Sequence, residues 1–155
     1  MIRIDIPATS ANLGSGFDSL GIALTMCNRV WMEEADELKI TTTDKIKVPT
    51  DETNLIYWAA RHLYQICGKT LPGLHIIQEN NIPMARGLGS SSACIVAGIL
   101  GANRMLGSPM SQSDLINLAA QIEGHPDNTS PAISGGLVAV SYTHLRAHET
   151  RRHLV

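Results

Sequence analysis

The sequence predicts an α+β domain, on three observations. Ile2, Ile4 and Ile6 alternate with Arg3 and Asp5, the two-residue period of a half-buried strand. Residues 54–67 and 91–106 carry apolar side chains at the three- and four-residue spacing of helices. Between those helices an extended segment runs into a glycine–serine turn, so strands and helices share one chain without a repeat.

Each element has its own justification. The first strand ends at Pro7, and residues 8–21, rich in small and polar side chains, read as a loop. Residues 20–26 and 29–33 read as two further strands, and 38–42, with its β-branched residues, as another. Charges and Pro49 between Asp44 and Glu52 mark a connection. In the helix at 54–67, Leu55, Trp58, Ala59, His62, Leu63 and Ile66 share a face, and Gly68 stops it. A strand at 74–78 leads to the glycine turn. The helix after it, 91–106, has small residues at Ala93, Ala97, Gly98 and Gly101, which predict close packing. A third helix spans 113–123, with Ser111 or Ser113 as its cap and Gly124 as its end. Residues 135–139 begin a strand.

Composition narrows the class. With 155 residues, 44% apolar and 17% charged, the chain suits one soluble domain with a real core. A net charge of −2 argues against a nucleic-acid partner held by phosphate neutralisation. No apolar run is long enough to span a bilayer and no signal peptide opens the chain, so no membrane partner is expected. Cys27, Cys67 and Cys94 have neither metal spacing nor an even count, which points to a reduced, cytoplasmic protein with buried thiols.

Residues 140–155 depart from the rest. They hold three of the six histidines and three of the twelve basic residues against one acid, Glu149; without them the body carries nine basic and thirteen acidic residues. His144 and His148 sit four apart, but the string resembles a translated read-through of a transposase-type sequencing adapter, and they are not read as a metal pair. The expected division is therefore a native domain at 1–139 and a non-native tail at 140–155.

The chemistry concentrates in Ile82-Pro83-Met84-Ala85-Arg86-Gly87-Leu88-Gly89-Ser90-Ser91-Ser92-Ala93. Gly87 and Gly89 allow a tight turn and close approach of a ligand to the backbone. A turn that opens directly into a helix aims unpaired N–H groups outward at the positive end of the dipole, which makes a phosphate site. No Gly-Lys-Ser/Thr follows, so this is not a Walker A loop, and Ser92 stands where a dinucleotide fingerprint needs its third glycine. An ordinary serine-capped glycine turn is the plain alternative.

Pro-x-x-x-Gly-Leu-Gly-Ser-Ser-x-Ala resembles the central motif of the GHMP kinases. That resemblance implies ATP as cosubstrate, its phosphates wrapped by Pro83, Arg86, Gly87, Leu88, Gly89, Ser90, Ser91, Ser92 and Ala93. Arg86 is read either as a phosphate contact or as a solvent-exposed side chain. Asn54-Leu55-Ile56 resembles the stretch near the adenine; apart from that, Asn54 is most simply a helix cap.

Two further strings narrow the resemblance to the branch of the family that acts on L-homoserine. In Pro7-Ala8-Thr9-Ser10-Ala11-Asn12-Leu13-Gly14-Ser15-Gly16-Phe17-Asp18, one amide and one carboxylate suit a small zwitterionic amino acid, though an Asx-turn pair is the alternative. Ser15 stands where many family members carry proline, which changes loop stiffness more than chemistry. Glu123-Gly124-His125-Pro126-Asp127-Asn128 is the other string. The resemblance implies that Asn12, Asp18, His125 and Asn128 face the substrate, with His125 and Asn128 closest to the chemistry. It also makes Ser91 and Glu123 the Mg²⁺ pair. Without the family context, Glu123 reads as a helix-terminal acid in water and Asp127-Asn128 as a turn-forming pair.

An amide cannot take a proton, so Asn128 is no general base, and Asp127 is the nearest alternative. The consistent mechanism is phosphoryl transfer by positioning and electrostatics. By the resemblance the fold is like the second domain of ribosomal protein S5, truncated here. The family's second domain adds another glycine-rich motif and substrate-binding arginines, which this chain lacks. The chain by itself is thus expected to be inactive, and the full-length parent to be a homodimer.

Overall fold

The structure is a computed structural model that describes residues 1–13, 16–141 and 146–149, the side chains of 12–18 and 141–149 excepted. In chain order the elements are β1 (Ile2–Leu13), β2 (Gly16–Glu34), β3 (Lys39–Thr42), α1 (Leu55–Ile66), β4 (Leu74–Glu79), α2 (Ser90–Met105), α3 (Gln112–Glu123), α4 (Pro126–Ser134), β5 (Leu137–Ser141) and β6 (Arg146–Glu149). The α+β expectation holds.

Strand β2 is the axis of the sheet. It pairs antiparallel with β1 from Met32 back to Gly16. On its other side β4 meets its second half, Arg29 to Glu34, and β5 meets Leu20 to Ile22. β3 lies parallel beside β4, and β6 antiparallel beside β5. Alternation sorts the side chains. Ile6, Val30, Met32, Leu74 and Ile76 are buried in the core. The opposite face pairs Arg29 with Glu79 (2.6 Å), Arg3 with Asp5 (2.8 Å) and the N-terminal ammonium with Glu33 (3.1 Å). Exposed pairs of this kind are worth only a few tenths of a kcal/mol each, about 0.2–1, so burial on the other face holds the sheet.

Two strand readings need correction. Residues 8–13 and 16–21 are not a loop: they are the inner arms of a long hairpin, in which Thr9 faces Ala23 and Leu13 faces Gly16. Register shifts between Pro7 and Thr9 and between Ala11 and Leu13 break the alternation that would have revealed it. Residues 20–26 and 29–33 belong to one strand. Asn28, which interrupts the apolar pattern, makes no turn; it is 4% exposed, and its Oδ1 accepts the N–H groups of Asn81 (2.7 Å) and Ile82 (2.8 Å). A buried amide thus ties the sheet to the segment leading into the glycine turn.

The helices bury their faces against that sheet and one another. In α1 the buried residues are Ile56, Tyr57, Ala59, Ala60, Leu63 and Tyr64, while Leu55, Trp58 and Ile66 are exposed. The predicted face is rotated because Tyr57 and Tyr64, polar at one end, supply much of the core contact; the Tyr64 hydroxyl donates to Glu34. Trp58 and His62 stack in parallel on the outside, with centroids 5.5 Å apart. Helix α2 is buried nearly all round, and the close packing expected of its small residues is present. A Cβ on Gly98 would overlap the Ile56 carbonyl oxygen, and one on Gly101 the Met32 sulfur.

Ser111 caps α3 in a reciprocal box with Asp114, and Gly124 ends it at φ +87°. Helix α4 has no counterpart among the predicted elements; Pro131 inside it and two glycines after it mask the pattern. The cysteines are free but half-buried rather than buried. Among the described residues no helix is long and apolar enough to cross a membrane.

Gly98→Ala is expected to cost about 1–3 kcal/mol by overpacking the α1–α2 contact. A urea midpoint lowered at unchanged slope would show it; an unchanged midpoint would contradict the packing.

Candidate functional site

The glycine turn is built by left-handed backbone. Ala85 (φ +56°), Gly87 (+68°) and Gly89 (+64°) take positive φ at alternate positions. For Ala85, a residue with a Cβ, that conformation is uncommon, and no residue pattern announces it. Gly89 is the N-cap of α2 and offers no side chain to its first turn. The first helical bond runs from Ala93 N–H to Gly89 C=O (2.8 Å), so the amides of Ser90, Ser91 and Ser92 have no partner within the helix. Residues 83–87 and Ser91 are exposed, with Leu88, Gly89 and Ser90 at the margin. The result is an open ledge of amides at the positive end of a 16-residue helix.

Three segments close on this ledge. Thr9 of β1 is 1% exposed; its N–H donates to Leu88 C=O (3.1 Å) and its Oγ1 donates to Asn128 Oδ1 (2.9 Å). A Cβ on Gly89 would overlap Thr9 Oγ1 and lie 3.2 Å from Asn128 Oδ1. Gly89 is therefore required twice, for its φ and for the absence of a side chain. From the end of α3, Glu123 accepts a hydrogen bond from Ser92 Oγ at 3.0 Å.

The expected site residues now have positions. Pro83, Arg86, Gly87, Leu88, Gly89 and Ser90 form or border the ledge, and Ala93 is buried beneath it. Arg86 is exposed and makes no hydrogen bond or ion pair among the described residues. The side chain held against Glu123 is that of Ser92, the third residue of α2, while Ser91 one step earlier points to solvent. The 100° turn between successive residues explains the exchange. Asn128 is brought to Gly89; His125 is the exposed N-cap residue of α4 and makes no capping bond. Asp127 is 4% exposed with Asn128 Nδ2 3.4 Å away, so it is packed under α4.

Asn54 is a cap. It is 3% exposed, accepts the N–H of Ile56 (3.0 Å) and Tyr57 (3.5 Å), and donates to Pro49 C=O (2.8 Å). Both ends of its amide are used inside the protein, as the helix-cap reading expects. The side chains of Asn12 and Asp18 lie outside the described residues, although their backbones belong to β1 and β2. Sequence reasoning passed over Thr9 and Asn28; a polar residue interrupting a strand pattern was the available signal for both.

Two cavities lie away from this ledge. One cavity of about 560 Å³ is lined by Ile2, Ile4, Leu100 and Arg104, and another of about 470 Å³ by β3 and residues 44–50. Among the described residues no group of three or more His, Cys, Asp or Glu gathers as a metal cage. Cys94 reports on Glu123. Burial, and then the negative charge of Glu123, push its thiol up to about 11.

An amide ledge on a central helix, braced by a β-hairpin and flanked by a carboxylate and an amide, has the donors and dipole that suit a phosphate. Over residues 54–136 the chain matches the GHMP kinases N terminal domain, and it belongs to the GHMP kinase family. It is 50% identical over 140 residues to a homoserine kinase of Trichodesmium erythraeum, covering 87% of this chain and 46% of that protein. It is 47% identical over 144 residues to a homoserine kinase of Petrotoga mobilis, covering 91% and 47%. The crystal structure of homoserine kinase from Cytophaga hutchinsonii superposes with a TM-score of 0.83 at 32% identity, over 96% of this chain and 51% of that one. A mevalonate kinase of Methanococcus jannaschii, at TM-score 0.75 and 15% identity, shares the fold. The chain spans about half the length of the curated relatives it matches.

Two measurements follow from this geometry. Asn54→Ala is expected to lower stability by about 1 kcal/mol through loss of the α1 cap; a variant as stable as the parent would remove that role. Glu123→Gln is expected to lower the Cys94 pKa, because it removes a charge that disfavours the thiolate, and so to speed alkylation of Cys94 by iodoacetamide at pH 8. An unchanged rate would mean that the carboxylate does not face α2.

Proposed function

We propose that this chain is the nucleotide-binding half of an ATP-dependent kinase that phosphorylates L-homoserine to O-phospho-L-homoserine, a step of threonine biosynthesis. The observation that carries the reading is the amide ledge at Gly89–Ser92 with Glu123 and Asn128 brought against it. Its kinship with homoserine kinases at 47–50% identity supports the choice of substrate. The reading divides the chain into a kinase domain at 1–139 and a non-native tail at 140–155; it places the parent enzyme in the cytoplasm as a homodimer.

In this reading the N–H groups of Ser90, Ser91 and Ser92 and the α2 dipole hold the ATP phosphates and stabilise charge on the transferred group. The donor set fits Mg²⁺. The half-buried carboxylate of Glu123, with the Ser92 hydroxyl 3.0 Å from it and the exposed Ser91 one residue earlier on the helix, offers hard oxygen ligands of the kind Mg²⁺ takes. Glu123 and the serine hydroxyls would hold the metal, which would supply positive charge to offset that of the phosphates. Asn12 and Asp18 engage the amino acid, Asp18 toward its ammonium. His125 and Asn128 face the acceptor hydroxyl. The proton of that hydroxyl passes to phosphate or solvent, since an amide cannot accept it and Asp127 is buried.

The nearest rival is a GHMP kinase of another small alcohol. A non-catalytic nucleotide- or RNA-binding domain is the reading from another class, and the acidic body weighs against RNA. An assay of the parent enzyme on L-homoserine, mevalonate and galactose is expected to show transfer to homoserine alone; transfer to either other alcohol instead would overturn the assignment. In the same assay Ser91→Ala should raise the KM for Mg-nucleotide and Asp18→Ala the KM for homoserine, each about tenfold, the worth of one charge-assisted hydrogen bond. Unchanged constants would remove the assigned roles.

A further inference from the structure

Asn128 has one amide and two neighbours that decide which way it faces. Its Nδ2 points at Asp127 Oδ1, 3.4 Å away, and its Oδ1 at Thr9 Oγ1, 2.9 Å away. In this orientation the NH₂ end donates to a carboxyl oxygen of Asp127. The oxygen end then faces Thr9, whose hydroxyl must donate to it. With Oδ1 engaged and one N–H directed at Asp127, Asn128 has one N–H left to offer. Oδ1 is the Asn128 atom nearest Gly89, 3.2 Å from where a Cβ would stand, and the remaining N–H is the donor the amide can still offer to a ligand.

Thr9 is well placed to enforce this. It is 1% exposed in β1, its own N–H is tied to Leu88 C=O (3.1 Å), and its side chain packs into the space that a Cβ on Gly89 would fill. The hydroxyl therefore has little freedom and is already aimed at Asn128. Remove it, and only the longer contact with Asp127, 3.4 Å, is left to distinguish the amide's oxygen from its nitrogen.

We propose that Thr9 is a positioning residue for the reaction: its hydroxyl fixes the orientation of Asn128, so that this amide donates to an acceptor oxygen, either the alcohol oxygen or an oxygen of the transferring phosphoryl group. The proposal rests on the kinase reading for the identity of that oxygen, but not for the Thr9–Asn128 link itself. The ligand chemistry it selects is a lone pair beside the amide ledge. Because Thr9 also holds Leu88, one residue aligns the phosphate ledge and the acceptor side of the site together.

The test uses the 155-residue chain and the side-chain ¹⁵N–¹H₂ signals of Asn128, assigned through an Asn128→Asp variant. Thr9→Val removes the hydroxyl at nearly constant shape, Thr9→Ala removes it without bulk, and Thr9→Ser keeps it. The two Asn128 N–H resonances are expected to stay well separated in the parent and in Thr9→Ser. In Thr9→Val and Thr9→Ala they should lose that separation, while the backbone amides of Gly87 to Ser92 keep their positions. If Thr9→Val does not fold, Thr9→Ala decides. Parent-like Asn128 signals in the hydroxyl-free variants would overturn the proposal, and so would equal loss in Thr9→Ser, which would assign the effect to methyl packing. Titration with Mg·AMP-PNP separates the two readings. If Asn128 distinguishes Thr9→Ser from Thr9→Val but no ledge amide responds to nucleotide, the positioning stands and the kinase reading fails.

Discussion

The contact on which the site depends is the one between Gly89 and Thr9. At φ +64°, with no Cβ, Gly89 lets the hydroxyl of a buried strand residue lie against the first turn of α2. A side chain there would push apart the three segments that meet at this point: the β1–β2 hairpin, the glycine turn and α4. The ledge of free amides is therefore a consequence of packing. It stays open because the backbone on one side is pressed onto the sheet, and the groups on the other, Glu123 and Asn128, are held by their own bonds.

The rest of the fold supports that contact. Asn28 anchors residues 81 and 82 to β2, so the turn begins from a fixed point. The glycines of α2 bring α1 and β2 close enough to leave the helix no freedom to slide, as Gly98 meets Ile56 and Gly101 meets Met32. Gly124 then ends α3 in a left-handed turn and sends the chain straight into α4. Glu123 and Asn128 stand on either side of that turn, which is why two residues so near in sequence reach different parts of the ledge. Buried polar groups, costly unless paired, mark the places where position matters: Thr9, Asn28 and Asn54 each spend their hydrogen bonds on fixing backbone or another side chain.

Much of this was legible in the sequence because the strongest local signals and the tertiary structure agree. The Gly-Leu-Gly-Ser string is a turn and a helix start in any context, and the caps at Ser111, Gly68 and Gly124 follow from residue chemistry alone. What escaped were features whose meaning is set by distant partners. Residues 8–21 look like a loop because small and polar residues at two register shifts hide the alternation of a hairpin. Asn28 looks like a strand break because its partners lie more than fifty residues away. Of the serines, Ser92 rather than Ser91 meets Glu123, a difference of one helical step that no spacing rule distinguishes. The face of α1 was misread because two tyrosines, not the aliphatic stripe, fill the core.

The central claim is that the unpaired amides of Gly89–Ser92 are a phosphate-binding surface. A ¹⁵N-resolved titration of the 155-residue chain with Mg·AMP-PNP tests it most directly. The account predicts that the backbone resonances of Gly87 to Ser92 move together and saturably, with Glu123 and Asn128 responding and the cavity beside Ile2 and Arg104 silent. Shifts confined to that cavity, or no saturable shift at the turn, would contradict it.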